Sequence, residues 1–475
     1  MKNLLSCVFV LLLGFTATSQ GYQVTLKSNF KSGTAYLTFH MGDNFNVQDS
    51  AEVNKFGVAI FKGNKKLPGG IYAIVFPGKK YTADFLIDKE QVITIVADTT
   101  KLANMSVTGS PANNLFKQYQ QYVTKKGAQL GAERSAYVSS RTVKDSALHE
   151  TNYNRLNKEL NDYRNDLIKN NPSSMMAALL NAMREPTYPT RIAHSFQDSL
   201  DNYNFYKVHY WDGVSFRDDR IIRTPFFLPK LQRYYREVLP QSPDSIIKDA
   251  DYKLLLARTS PEMFKFLLNW LTDEYFNPKY MGQDAVFVHL FEKYHSKGLS
   301  SWLNEKQMEA ITRRAYMQMS NLVGEQAANL EMLDVNDKPV SLYETNSDYT
   351  IVLFWDPTCG HCKEEVPRID SIYRASWKKQ NVKIFAVLTE NTKAEWVKYI
   401  GEHHLQDWTN AYQTKAMEDS VAASQRPGFR QLYDVTMTPI LYLLDKNKRI
   451  IAKKLTWQQL NDMLKVKTDQ AKIKS

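Results

Sequence analysis

Cysteine is nearly absent from this chain of 475 residues: Cys7, Cys359 and Cys362 are the only three. So few thiols exclude a disulfide-stapled scaffold and any zinc or iron–sulfur site built on four cysteines. Glycine and proline are scarce as well, at 19 and 17 residues, which excludes a collagenous or low-complexity architecture. Beyond the N-terminus no uncharged run approaches the roughly 20 residues that span a bilayer, so no stable membrane insertion is expected. A concentrated charge is missing too. The net charge of +11 is spread thinly along the chain with no dense basic stripe, which reads as a solvated, mildly basic surface and not as a nucleic-acid footprint. Nothing in the sequence calls for a cofactor or a metal.

What is present is a long, globular chain. At 43% apolar residues it has enough hydrophobic surface for two or three cores. The N-terminus reads Met1-Lys2-Asn3, an uncharged run from Leu4 to Phe15, and small residues at Ala17 and Ser19. That order is the pattern of a secretory signal over residues 1–19. Most of the apolar core lies after Cys7 instead of before it, which argues against lipid attachment there, so Cys7 is expected to leave with the signal.

Residues 20–110 read as an all-β module. Tyr22–Leu26, Ala35–Phe39, Val58–Phe61, Ile71–Phe76 and Val92–Val96 are rich in β-branched and aromatic residues, with Gly and Pro turn signals between them. Short strands at this spacing predict a small sandwich or barrel. From Ser110-Pro111 to about residue 315 the pattern becomes helical. Leu156, Leu160, Tyr163 and Leu167 recur at helical spacing, and Ser260-Pro261-Glu262 opens a further helix. Residues 316–475 return to a mixed α/β pattern.

The chemistry sits in this last stretch. Tyr349–Trp355 is a near-continuous apolar run, the mark of a strand buried on both faces. It leads into Asp356-Pro357-Thr358-Cys359-Gly360-His361-Cys362, after which Val366, Ile369, Ile372 and Tyr373 recur at helical spacing. Cys359 therefore falls where a strand hands over to a helix. Thiolate is the nucleophile in disulfide exchange, and first-turn amides with the positive helix end stabilise it. His361 adds charge or a hydrogen bond in the same sense. Cys362, one turn further in, suits the resolving role, and the spacing lets the pair close as a Cys359–Cys362 disulfide. Two other readings stand beside this one. The pair could be an inert structural disulfide. It could also be half of a zinc site completed by His403 and His404, although neighbours on a helix point about 100° apart.

Val435-Thr436-Met437-Thr438-Pro439 opens a second apolar strand, with the proline either a plain strand-start residue or a cis peptide. Together, the Gly324–Ala327 entry, Asp334–Leu342, Phe354-Trp355, Cys359-Gly360-His361-Cys362, Pro367 and Thr438-Pro439 resemble the TlpA/ResA type of thioredoxin-fold thiol–disulfide oxidoreductase. The resemblance covers about residues 320–467. It implies that Cys359 attacks, that Cys362 resolves, and that Pro439 is a cis-proline beside the disulfide. Thr438, Pro439 and Trp355 would then meet the substrate. It also implies a proton-handling role for Glu365, whose other reading is a surface residue pairing with Arg368. Leu353 stands where thioredoxin has a buried aspartate, and the Gly-His dipeptide is that of protein disulfide isomerase. A peroxiredoxin reading is weaker, because a peroxidatic cysteine needs a threonine about three residues before it and here Thr358 is adjacent. The two preceding modules loosely resemble uncharacterised ones from periplasmic proteins of Gram-negative bacteria. The implied protein is a periplasmic enzyme whose partners are protein thiols or disulfides and a redox partner protein. The alternative is a binding or interaction protein with a redox-sensing or docking appendage.

Overall fold

The computed structural model describes residues 21–42, 44–188, 193–390 and 392–474, with side chains as far as Lys467. The expected signal segment 1–19 and Cys7 lie outside the described residues. The chain divides into two compact units, one running to Leu239 and including Leu255–Phe264, the other comprising Pro240–Leu254 and the residues from Lys265 onward.

The first unit begins with eight strands: β1 (Tyr22–Ser28), β2 (Thr34–Met41), β3 (Asn44–Glu52), β4 (Val58–Gly63), β5 (Gly70–Val75), β6 (Thr82–Ile87), β7 (Val92–Ala97) and β8 (Ser106–Thr108). They form two four-stranded sheets, ordered β4-β1-β7-β8 and β3-β2-β5-β6. Alternation along each strand explains the sandwich. Val24 and Leu26 of β1, Leu37 of β2, Phe61 of β4, Ile74 of β5, Phe85 of β6 and Ile95 of β7 all point into one shared core. The expected all-β module is therefore present.

Two long helices follow, α1 (Pro111–Ser139) and α2 (Val143–Asn170), capped by Ser110 and Thr142. With α3 (Met175–Met183) they bury Tyr119, Leu167, Met176 and Leu180 against Ile71 of β5 and Leu86 of β6. Helices α4 (Phe196–His209) and α5 (Phe227–Arg233) complete this unit's own elements. The mostly helical middle is thus as expected in type, but it is shared between the two units. Chain passes from one to the other along α6 (Pro243–Ala257) and α7 (Pro261–Phe276), while α8 (Asp284–Leu290) and α9 (Glu305–Met319) belong to the second.

The second unit continues with β9 (Glu331–Leu333), β10 (Pro339–Ser341), β11 (Tyr349–Trp355), α10 (Gly360–Ala375), β12 (Val382–Leu388), α11 (Lys393–Glu402), β13 (Thr409–Ala411), α12 (Lys415–Ala423), α13 (Phe429–Leu432), β14 (Ile440–Asp445), β15 (Ile450–Lys453) and α14 (Trp457–Lys474). Its five-stranded sheet has the order β13-β12-β11-β14-β15. Strand β11 is central, parallel to β12 and antiparallel to β14. Both its faces are covered, as the unbroken apolar run requires. Ile351, Leu353 and Trp355 pack with Val366 and Ile369 of α10, and Val352 and Phe354 pack on the opposite face with Phe429 and Tyr433. This mixed α/β sheet is the thioredoxin-like domain.

A buried polar contact fixes the sandwich to α1. Asn113 is buried, its Oδ1 accepts from the Leu86 amide at 2.8 Å and its Nδ2 donates to the Leu86 carbonyl at 2.7 Å. Asn113→Ala would leave both main-chain groups buried and unpaired, and we expect a loss of about 2 kcal/mol, read as a lower urea midpoint. An unchanged midpoint would show that water replaces the amide.

Candidate redox site

Strand β11 delivers the chain rigidly to Trp355, and the next residues form a turn built on one carboxylate. Asp356 is 2% exposed and has both oxygens occupied. Oδ1 accepts from the Thr358 amide at 2.6 Å and from its hydroxyl, and Oδ2 accepts from the Thr392 hydroxyl at 2.9 Å. The Cys359 amide donates to the Asp356 carbonyl at 3.2 Å. This Asx-type turn places Cys359 as the N-cap of α10, with extended φ and ψ of −70° and 126°.

At that position the first-turn amides converge on sulfur. Burial opposes ionisation of Cys359. Hydrogen bonds from the Thr438 side chain, the Cys362 amide and thiol, and the His361 amide outweigh it and hold the thiol below its ordinary range. The Cys359 thiol also donates to the Thr438 carbonyl at 3.5 Å, and the Thr438–Pro439 peptide is cis. Cys362, fully buried, is the opposite case: burial pushes its thiol up to about 12, despite a hydrogen bond from the Asp356 main chain. Both thiols are free. The site thus holds a half-exposed, easily ionised sulfur beside a buried, reluctant one.

The remaining expected residues divide. His361 is exposed and contributes its amide. Thr438 lies against Cys359 through its carbonyl, and Pro439 follows it across the cis peptide. Glu365 pairs with Arg368 at 3.1 Å, the geometry of the surface reading. Trp355, expected to meet substrate, is fully buried and sits edge-on to Tyr399 with ring centroids 5.3 Å apart. Its side chain lies in the core cluster that contains Cys362 and against which Cys359 packs. For the zinc alternative, the His403 ring stacks on Tyr399 at 3.9 Å. Among the described residues no three His, Cys, Asp or Glu side chains are grouped to hold a metal ion.

Three supports were not expected from the sequence. Asp356 is one, and its Asp-Pro-Thr turn signal was readable. Tyr399 is another: its hydroxyl and the Trp355 indole nitrogen are buried with no hydrogen-bond partner among the described residues. The third is Asp434, which starts the loop to Pro439. Its carboxylate is 2% exposed and accepts two hydrogen bonds from Arg314 Nη1, at 2.8 and 2.9 Å, and one from Lys454. Asn321 Nδ2 donates to the Leu432 carbonyl at 3.0 Å just upstream. Residues of α9 and the turn after it therefore brace the segment that holds Thr438 against sulfur.

With the geometry in place, the comparisons can be read. Residues 323–455 match the family described as AhpC/TSA, and residues 22–116 match a domain of unknown function, DUF4369. The thiol–disulfide oxidoreductase ResA of Bacillus cereus is 23% identical over 184 residues, covering 38% of this chain and 87% of that protein. ResA of Halalkalibacterium halodurans is 33% identical over 64 residues, covering 14% and 36%. Among solved structures, a domain of a possible thiol-disulfide isomerase from Cytophaga hutchinsonii is 32% identical, covering 32% of this chain and 97% of that one, with a TM-score of 0.28. A thioredoxin-like protein from Bacteroides caccae is 21% identical, covering 60% and 98%, with a TM-score of 0.45. The C-terminal domain has a thioredoxin-like, ResA/TlpA-related fold, with two cysteines placed as a dithiol–disulfide site. The N-terminal module remains uncharacterised. Three residues before Cys359 stands Asp356, where a peroxidatic site needs threonine.

Removing the brace tests its role. Asp434→Asn leaves Arg314 and Lys454 without their anion and is expected to cost about 3 kcal/mol in stability. It should also raise the Cys359 pKa, read as less thiolate absorbance at 240 nm at neutral pH. Unchanged absorbance would mean that the loop holds Thr438 without Asp434.

Proposed function

We infer that the protein is an exported thiol–disulfide oxidoreductase acting on protein substrates through Cys359-Gly360-His361-Cys362. The observation that carries this reading is the asymmetry of the pair: one sulfur is half-exposed and held toward thiolate, the other buried and held toward thiol. Only the first is an effective nucleophile at neutral pH.

In the proposed cycle the Cys359 thiolate attacks a substrate disulfide. A Cys359–substrate S–S bond forms, and the other substrate sulfur leaves as thiolate and takes up a proton. Cys362 then gives up its proton and attacks Cys359 Sγ, releasing the second substrate thiol and leaving the Cys359–Cys362 disulfide. Two electrons have passed to substrate, and a redox partner protein returns them. Run backwards, the same steps oxidise a dithiol. In this reading Thr438 and Pro439 receive the substrate chain, His361 steadies the thiolate, and Glu365 relays the Cys362 proton after parting from Arg368. We place the reaction in the periplasm, following the signal pattern of residues 1–19, and take residues 20–110, 111–315 and 316–475 as the three modules.

Stabilising the thiolate favours the reduced form, which makes the disulfide more oxidising. The potential should therefore lie above the roughly −270 mV of thioredoxin. Equilibration with glutathione checks this, and a value at or below thioredoxin's contradicts it. For activity, the assay is insulin reduction with dithiothreitol. Cys359→Ser should abolish turnover and Cys362→Ala should accumulate a mixed disulfide with substrate. Full turnover in Cys359→Ser would remove the enzymatic reading and leave a binding protein with a redox appendage.

A further inference from the structure

The N-terminal sandwich has an open edge. Strand β6 ends its sheet, paired among the described residues to β5 on one side only. In an antiparallel pair, alternate residues turn both main-chain groups toward the neighbour and the others turn them outward. The Asn113 amide identifies which are which: it accepts from and donates to Leu86 as a neighbouring strand's peptide group would. Leu86 is therefore an outward residue, and by the same alternation Asp84 and Thr82 are the next two.

Both line a cavity of about 890 Å³, whose opposite wall is α1 and whose end is closed by the segment leading into β8. That volume falls within the roughly 300–1,000 Å³ of ligand-binding clefts. Helix α1 thus occupies one outward position through Asn113 and leaves the next two facing open space. Met105, Leu102 and Phe116 supply an apolar floor, and the cations are Lys125 and Lys117, the latter also donating from Nζ to the Met105 carbonyl at 2.8 Å. The anion on the strand side, Asp84, faces His40 at 3.4 Å.

We propose that this groove docks an extended polypeptide segment, which adds to β6 as a further strand. Its main chain pairs with the amides and carbonyls of Asp84 and Thr82. Its alternate side chains are apolar toward Met105 and Phe116 and acidic toward Lys117 and Lys125. Unpaired main-chain groups on an edge recognise another backbone and not a small solute, and that is the basis for a polypeptide occupant. The cationic wall sets the acidic preference.

The probe is performic-acid-oxidised insulin B chain, an extended polypeptide with apolar and acidic residues and no thiol or disulfide for Cys359 to capture. With the full chain, we expect saturable binding and slowed hydrogen exchange at Thr82 and Asp84. Asp84→Pro removes one outward donor at an edge position that tolerates proline, and should weaken binding about tenfold or more. Lys125→Glu, at an exposed site, should also weaken binding and keeps the test open if the proline variant does not fold. The proposal is overturned by absence of saturable binding, by protection confined to residues outside β6, or by equal affinity in both variants. Protection of β6 that rises with protein concentration alone would assign the edge to a second copy of the chain and overturn it as well.

Discussion

The structure of the C-terminal domain is organised around one sulfur held at the end of a helix. Cys359 draws on amide hydrogen bonds that α10 leaves unpaired at its first turn, and on Thr438 from across the sheet. Neither contribution is local to Cys359 alone. The amides face sulfur only because the Asp356 turn starts the helix there. Thr438 faces it only because the loop from Asp434 to Pro439 is fixed at its base. Burial works against the thiolate, so a small slackening on either side shifts the balance back toward thiol.

That dependence gives the rest of the domain its logic. Strand β11, covered on both faces, positions the Asp356 turn; β14, its antiparallel neighbour, begins immediately after Pro439. The two halves of the site are thus carried by adjacent strands of one sheet. Arg314, Asp434 and Lys454 tie the loop to α9, which lies before the segment that matches the AhpC/TSA family. A helix outside the conventional domain therefore helps to hold the site. Cys362, on the inner side of α10, shares the core with Trp355, whose indole N–H is buried without a hydrogen-bond partner among the described residues. Leu353 is fully buried where thioredoxin has its aspartate, so the inner side of the pair has no carboxylate at that place.

Much of this was legible in the residues, and the exceptions have physical reasons. The strands at β1, β2, β4, β5 and β7, the helix after Cys362 and the strand before Cys359 follow from periodicity, because each buries a regular face. Strand β3 escaped notice because its residues are almost all exposed and pairing with β2 alone defines it. The helices between 111 and 315 were readable as helices, but periodicity shows that a face is buried and not against what, so their sharing between two units was not. The cysteine pair was readable because its chemistry is local to four residues. The Arg314–Asp434 brace was not, since its partners lie 120 residues apart and each is an ordinary charged residue in sequence. Trp355 was expected to meet substrate by resemblance; its side chain is fully buried in the core that β11 shares with α10.

The central claim is that the two sulfurs differ in ionisation because of where the fold puts them. The direct measurement is the pH dependence of iodoacetamide alkylation in the reduced protein, with each cysteine followed separately by peptide mass. The account predicts that Cys359 reacts alone at neutral pH, with an inflection below the ordinary thiol value of 9.0, while Cys362 stays unmodified until the pH approaches about 12. Equal rates at the two cysteines, or a Cys359 inflection at or above 9.0, would contradict it.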